Sequence, residues 1–146
     1  MMSRFVALLI GTFALAALRG QFDALPYAPL ADRLWAMAGY YGVLTNLGLA
    51  GLMFAVAKGW RMSGAVAAAM LVAVGLVAAA YAVRFWASAA IASGWEDYAL
   101  HLGVPLAVGL WWWGFADKTV QGRDWQRLIA WPAIYCLYAL LRGALA

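Results

Sequence analysis

Thr45 and Asn46 sit side by side inside the apolar run YYGVLTNLGLAG, and the single imidazole of the chain, His101, opens the later run HLGVP. A hydroxyl beside an imidazole is the minimum set for nucleophilic acyl transfer, because the ring takes the hydroxyl proton as the oxygen attacks an ester carbonyl. Each group also has a structural use. Threonine in an apolar helix bonds the carbonyl four residues back, here that of Tyr41. Asparagine bridges to a neighbouring helix, and a histidine near a membrane boundary is often only a hydrogen-bonded side chain. Asn46 and Tyr41 are the nearest side chains able to donate to a developing oxyanion, since helical backbone N–H groups are already used. Asp97 lies four residues before His101 on the same helical face. It is either the group that fixes the imidazole tautomer or a solvated interfacial acid. Pro105 lacks the N–H that would bond the His101 carbonyl, which predicts a kink.

The elements that must position these groups are membrane helices. Of the 146 residues, 68% are hydrophobic and 11% are charged, and the mean hydropathy is +0.83. A soluble domain carries about 25% charged residues. The expectation is one all-α domain, residues 1–146, folded as a polytopic transmembrane bundle of about five spans. The apolar segments place them at about 5–22, 34–57, 64–83, 98–115 and 125–141, each near the roughly 20 residues that a span needs. The first has a basic start at Arg4 and reads as an uncleaved helix rather than a signal peptide. The linkers RGQFDALPYAPLADR, KGWRMS, RFWASAAIASGWED and ADKTVQGRD hold the punctuation and most charges. No repeat or low-complexity tail is visible.

Composition also excludes chemistry. One cysteine, Cys136, rules out an intrachain disulfide and a cysteine-based metal site. One histidine rules out a bis-histidine haem from this chain alone. No metal or cofactor is implied. The net charge of +4 reflects loop charges, and no basic run argues for nucleic acid.

Helices 34–57 and 98–115 are two spans apart, so both start from the same face of the membrane. At 1.5 Å per residue, His101 lies about 5 Å beyond the start of its helix and Thr45 about 10–16 Å beyond the start of its own. One face would carry Arg4, Lys58, Arg61, Lys118, Arg123 and Arg127, the other Arg19, Arg33, Arg84 and Arg142. Six against four places the N-terminus in the cytoplasm. Trp35, Trp86 and Trp95 would mark the outer boundary, and Trp60, Trp111, Trp112, Trp113 and Trp125 the inner one. On the face where Thr45 and His101 start, Arg142 is the candidate to grip a substrate carboxylate, as a guanidinium does in a bidentate way.

YYGVLTNLGLAG, HLGVP and WPAIYCLYALLRG together resemble the androgen-induced-gene family of membrane hydrolases and its bacterial relatives. The shared pattern is a T-N pair early in one helix, H-x-x-x-P on a later helix, then P-x-x-Y and R-G, from about residue 35 to 143. The resemblance implies a multi-pass threonine hydrolase of fatty acid esters of hydroxy fatty acids in a bacterial plasma membrane. It makes Thr45 the nucleophile and His101 the base, and the partners a fatty-acyl substrate and the bilayer. Family members usually add a sixth span, and relatives carry an acid after H-x-x-x-P where this chain reads WWWGF. The alternative is a non-enzymatic protein that binds or transports a hydrophobic ligand. Five spans and nine tryptophans resemble the tryptophan-rich sensory proteins in size and composition, without their proline- and tryptophan-rich loop.

Overall fold

The computed structural model describes residues 1–87 and 94–144, and every regular element among them is helical. They are α1 (Met2–Ala24), α2 (Leu30–Ala38), α3 (Tyr41–Ala57), α4 (Gly64–Ala87), α5 (Trp95–Tyr98), α6 (Val104–Phe115) and α7 (Trp125–Ala144). A π-helical turn, Ala99–Gly103, joins α5 to α6 without a break, and a 3₁₀ turn, Gly122–Asp124, precedes α7. The middle of the expected linker RFWASAAIASGWED, residues 88–93, lies outside the described residues, as do 145–146.

α1 and α4 are long and apolar enough to cross a membrane. α2 and α3 pass that test only as a pair, bent by 92°. The chain is thus all-α with two to three candidate membrane spans. The helix expected over 34–57 is two helices, broken at Gly39 and Tyr40. The break exposes carbonyls at the end of α2, and α7 supplies their partners. Tyr138 Oη donates to the Ala38 carbonyl at 3.0 Å and Tyr135 Oη to that of Gly39 at 2.7 Å. Arg142 donates to the Trp35 carbonyl at 2.5 Å and stacks over the Trp35 ring at 4.0 Å. Orphan carbonyls at a helix end need such donors, and these arrive from about a hundred residues away.

Small residues decide the closest packing. Ala7, Gly11, Ala14 and Ala17 repeat every three or four positions along the buried face of α1. This spacing keeps one face bare of bulk. A Cβ at Gly11 would lie 3.3 Å from the Phe54 ring and 3.4 Å from the Ala50 carbonyl of α3. The main core joins α1, α3, α4 and α6 through residues such as Ile10, Met53, Val74 and Val108. No residue of α7 is fully buried; the helix packs along α4 and makes polar contacts to α2 and α3. Leu106, Leu110, Leu137 and Leu140 remain exposed, as suits a bundle solvated by acyl chains rather than water.

The contacts also fix direction. Trp111 near the end of α6 donates to the Ser3 carbonyl at the start of α1, so these two helices are antiparallel. α1 is likewise antiparallel to α3, and α3 therefore runs parallel to α6. Both start at the end that holds Gln21, Tyr40, Arg84, Asp97 and His101. The shared starting face expected for Thr45 and His101 is the one observed.

Candidate active site

Asn46 is fully buried, and its amide nitrogen donates to the Gly42 carbonyl at 2.8 Å. It also reaches the Leu100 carbonyl across the helix interface, at the outer limit of 3.5 Å. The π turn explains that acceptor. Val104 N–H bonds the Ala99 carbonyl, five residues back. In this register the residue opposite Leu100 is Pro105, which has no N–H to give. Pro105 therefore frees a carbonyl one position before the expected one, and Asn46 reaches it. Its amide serves as a bridge between α3 and the π turn, while its Oδ1 is buried without a partner.

The same turn orients His101. Its Nδ1 lies 2.8 Å from the Asp97 carbonyl oxygen and 3.0 Å from Asp97 Oδ1. Two acceptors at one nitrogen require that nitrogen to carry the hydrogen, which leaves Nε2 as the free acceptor. Asp97 thus fixes the tautomer, the first of its two sequence readings. Tyr81 of α4 stacks on the imidazole, with ring centroids 4.7 Å apart. Nε2 points at α3, where a Cβ placed on Gly42 would lie 3.5 Å away.

Thr45 is one turn further along α3 and buried. Its hydroxyl accepts a hydrogen bond from Trp131 Nε1 of α7 at 2.9 Å. This donor was missed in the sequence, although Trp131 lies well inside the last apolar segment while eight other tryptophans fit a boundary. An indole packed within an apolar helix needs a partner for its N–H, and Thr45 is that partner. The Tyr41 hydroxyl interacts with the same threonine and lies 3.3 Å from the Ala73 carbonyl of α4.

Thr45 and His101 open onto two different cavities. His101 lines a polar vestibule of about 270 Å³ with Gln21, Tyr41, Gly42, Arg84 and Asp97. Thr45 lines an apolar cleft of about 360 Å³ between α3, α4 and α7, with Gly48, Leu52, Ala69, Ala73 and Trp131. No direct hydrogen bond joins the two residues among the described contacts. Tyr41 stands between them: it lines the vestibule, while its hydroxyl is bonded to a residue of the cleft wall. Arg142 lies in neither cavity's lining; its guanidinium clasps the end of α2 and contacts Tyr138 Oη at 3.1 Å. The arginine facing the vestibule is Arg84. No group of three or more metal-ligating side chains occurs among the described residues.

Comparison with known protein families, characterised proteins and solved structures finds no match to this chain.

Proposed function

We propose that this protein is an intramembrane lipid-ester hydrolase, a five-span bundle in which α5–α6 and α7 cross the bilayer beside α1, α2–α3 and α4. The observation that carries this reading is the pair of cavities meeting at consecutive turns of α3. The cleft is apolar and, at about 360 Å³, falls within the roughly 300–1,000 Å³ of small-molecule sites. A substrate acyl chain lies there with its ester at Thr45 and its alcohol portion towards the vestibule. The long Tyr41–Ala73 bond at 3.3 Å is a weak latch, and a swing of Tyr41 joins the cavities.

Chemistry then follows from the fixed tautomer. Thr45 Oγ1 attacks the ester carbonyl as its proton passes to His101 Nε2. The tetrahedral oxyanion collapses, and the imidazolium returns that proton to the departing alcohol. Water, deprotonated by the same Nε2, attacks the acyl-threonine and releases the fatty acid, while the proton goes back to Thr45. Asn46 has turned its amide hydrogens to backbone carbonyls, so Tyr41 and Trp131 are the donors nearest the oxyanion. The resemblance to threonine hydrolases of the androgen-induced-gene family supports the same two roles. Six basic residues at the opposite end favour a cytoplasmic N-terminus, and the resemblance implies the plasma membrane of a bacterium.

A second reading, binding of a hydrophobic ligand without chemistry, is favoured by the Thr45–Trp131 bond, which gives the hydroxyl a structural partner. Labelling with a fluorophosphonate probe separates the two. The hydrolase should be labelled, labelling should vanish in Thr45→Ala, and it should fall at least about 100-fold in rate in His101→Ala. Labelling that survives Thr45→Ala removes the dyad. Tight binding of a fluorescent fatty acid by a protein that is never labelled selects the second reading.

A further inference from the structure

At the end where α1 begins and α3 and α6 finish, a pocket of about 340 Å³ is bordered by Ser3, Arg4, Gly59, Arg61, Trp111 and Asp117. We propose that it holds the headgroup of an anionic phospholipid, with the phosphodiester between Arg4 and Arg61 and the hydroxyls of a glycerol headgroup on Asp117. The two ends of the bundle treat their cations differently.

At the vestibule end, four arginines face four acids, and each arginine is engaged. Arg19 pairs with Asp23 at 2.7 Å. Arg33 donates to the Phe22 carbonyl and lies over the Phe22 ring. Arg142 clasps α2, and Arg84 has an interaction of its own. At the opposite end six cations face two acids, Asp117 and Asp124. Lys118 donates to the Trp113 carbonyl and Arg127 to Asp124. Arg4 and Arg61 make no hydrogen bond or ion pair among the described residues, yet both border the same concavity.

Arg4 is also seated. Gly59 adopts φ +105°, and a Cβ there would meet the Arg4 guanidinium at 3.1 Å. A positive φ and that close approach both call for glycine. The loop after α3 thus leaves room for this guanidinium. Planar guanidinium groups bind phosphate oxygens through paired N–H donors. Trp60 and Trp111 line the pocket, and tryptophan is enriched at the interface where headgroups lie. Asp117 is the one acid on its rim. Its carboxyl is held below the usual carboxylate range, chiefly by the Thr119 hydroxyl and then by the Thr119 amide. A bare anion would be repelled there, whereas a headgroup carrying hydroxyls has donors to offer it.

The test uses the full chain in detergent with short-chain dioctanoyl phosphatidylglycerol, dioctanoyl phosphatidylcholine and inorganic phosphate as separate probes. Phosphatidylglycerol should bind saturably, and its Kd should rise at least about tenfold in the double variant Arg4→Gln/Arg61→Gln, tenfold being one well-made contact. Arg123→Gln, the same charge change outside this pocket, should alter Kd by less than about twofold. Wild type should also retain phosphatidylglycerol over phosphatidylcholine in native mass spectra after purification from mixed lipid. Equal losses in Arg123→Gln and the double variant would mean diffuse attraction to a basic surface and overturn the site. Inorganic phosphate binding as tightly as the lipid would overturn the lipid assignment, and so would equal retention of the two lipids. None of these outcomes depends on hydrolysis at Thr45.

Discussion

Thr45 and Trp131 form the most informative pair in the chain. A buried hydroxyl and an indole N–H in the middle of an apolar helix each need a partner, and each finds the other at 2.9 Å. Thr45 Oγ1 is the acceptor in this bond, so the bond itself does not use the threonine proton, while the Tyr41 hydroxyl interacts with the same group. The bond also shows why a polar side chain here is no proof of chemistry. A double-mutant cycle measures the coupling directly. Thr45→Val and Trp131→Phe should each lower unfolding stability by about 1–3 kcal/mol, because each leaves a buried polar group unpaired. The double variant should cost less than their sum, with a coupling of about 1 kcal/mol. Additive losses in denaturant titrations would show that the bond does not form in solution. His101 differs in kind: Asp97 and Tyr81 hold its ring in place, and Nε2 is kept as an acceptor facing the gap at Gly42.

Among the elements, the bend between α2 and α3 and the π turn before α6 are the two departures from regular helix that shape the site. The bend brings Tyr40 and Tyr41 to the vestibule and starts α3 only four residues before Thr45. Arg142, Tyr135 and Tyr138 hold it, so hydrogen bonds tie α7 to the bend in addition to its packing along α4. Arg142→Ala should loosen this clasp, lowering stability by about 1–3 kcal/mol and increasing protease cleavage within residues 25–40. Arg142→Lys should recover little, because a lysine cannot both stack over Trp35 and reach its carbonyl. Full rescue by lysine would mean that only charge matters at this position. The π turn acts through register. By shifting the helix by one residue ahead of Pro105 it presents the Leu100 carbonyl to Asn46 and turns His101 towards α3.

For the whole molecule, the charge distribution is the dominant asymmetry. The end with Arg4, Arg61 and Arg127 carries six cations against two acids, and the vestibule end four against four. Translocation is opposed chiefly by Lys and Arg near span ends, so the proposed topology predicts the basic end on the cytoplasmic side. Single cysteines introduced at Ser63 and at Tyr27 in a Cys136→Ser background should report this. A membrane-impermeant maleimide added to intact cells should label Tyr27→Cys and spare Ser63→Cys until the membrane is opened. The reverse pattern would invert the topology and place the vestibule inside the cell. The same end-to-end contrast underlies the proposed lipid pocket, which Arg4 and Arg61 both border.

Hydropathy alone determined that the chain is helical and carries segments long and apolar enough to cross a membrane, because backbone groups in lipid must be paired within helices. It also located the segment containing α4 and α6, and the shared starting face of Thr45 and His101 followed from counting crossings. What the sequence could not supply were relations between distant residues. Leu34 to Ala57 reads as one uninterrupted apolar segment, and it breaks because α7 caps the freed carbonyls. Trp131 looks like any other membrane tryptophan until α7 docks and sets its indole against Thr45. Arg142 looks like a free cation at a helix end until its guanidinium meets Trp35. Periodicity reports which face of a helix avoids water, and in a bilayer nearly every face is apolar, so the pattern carries little about which neighbour each face meets. Those pairings depend on hydrogen bonds between residues remote in sequence, and only the tertiary arrangement decides them.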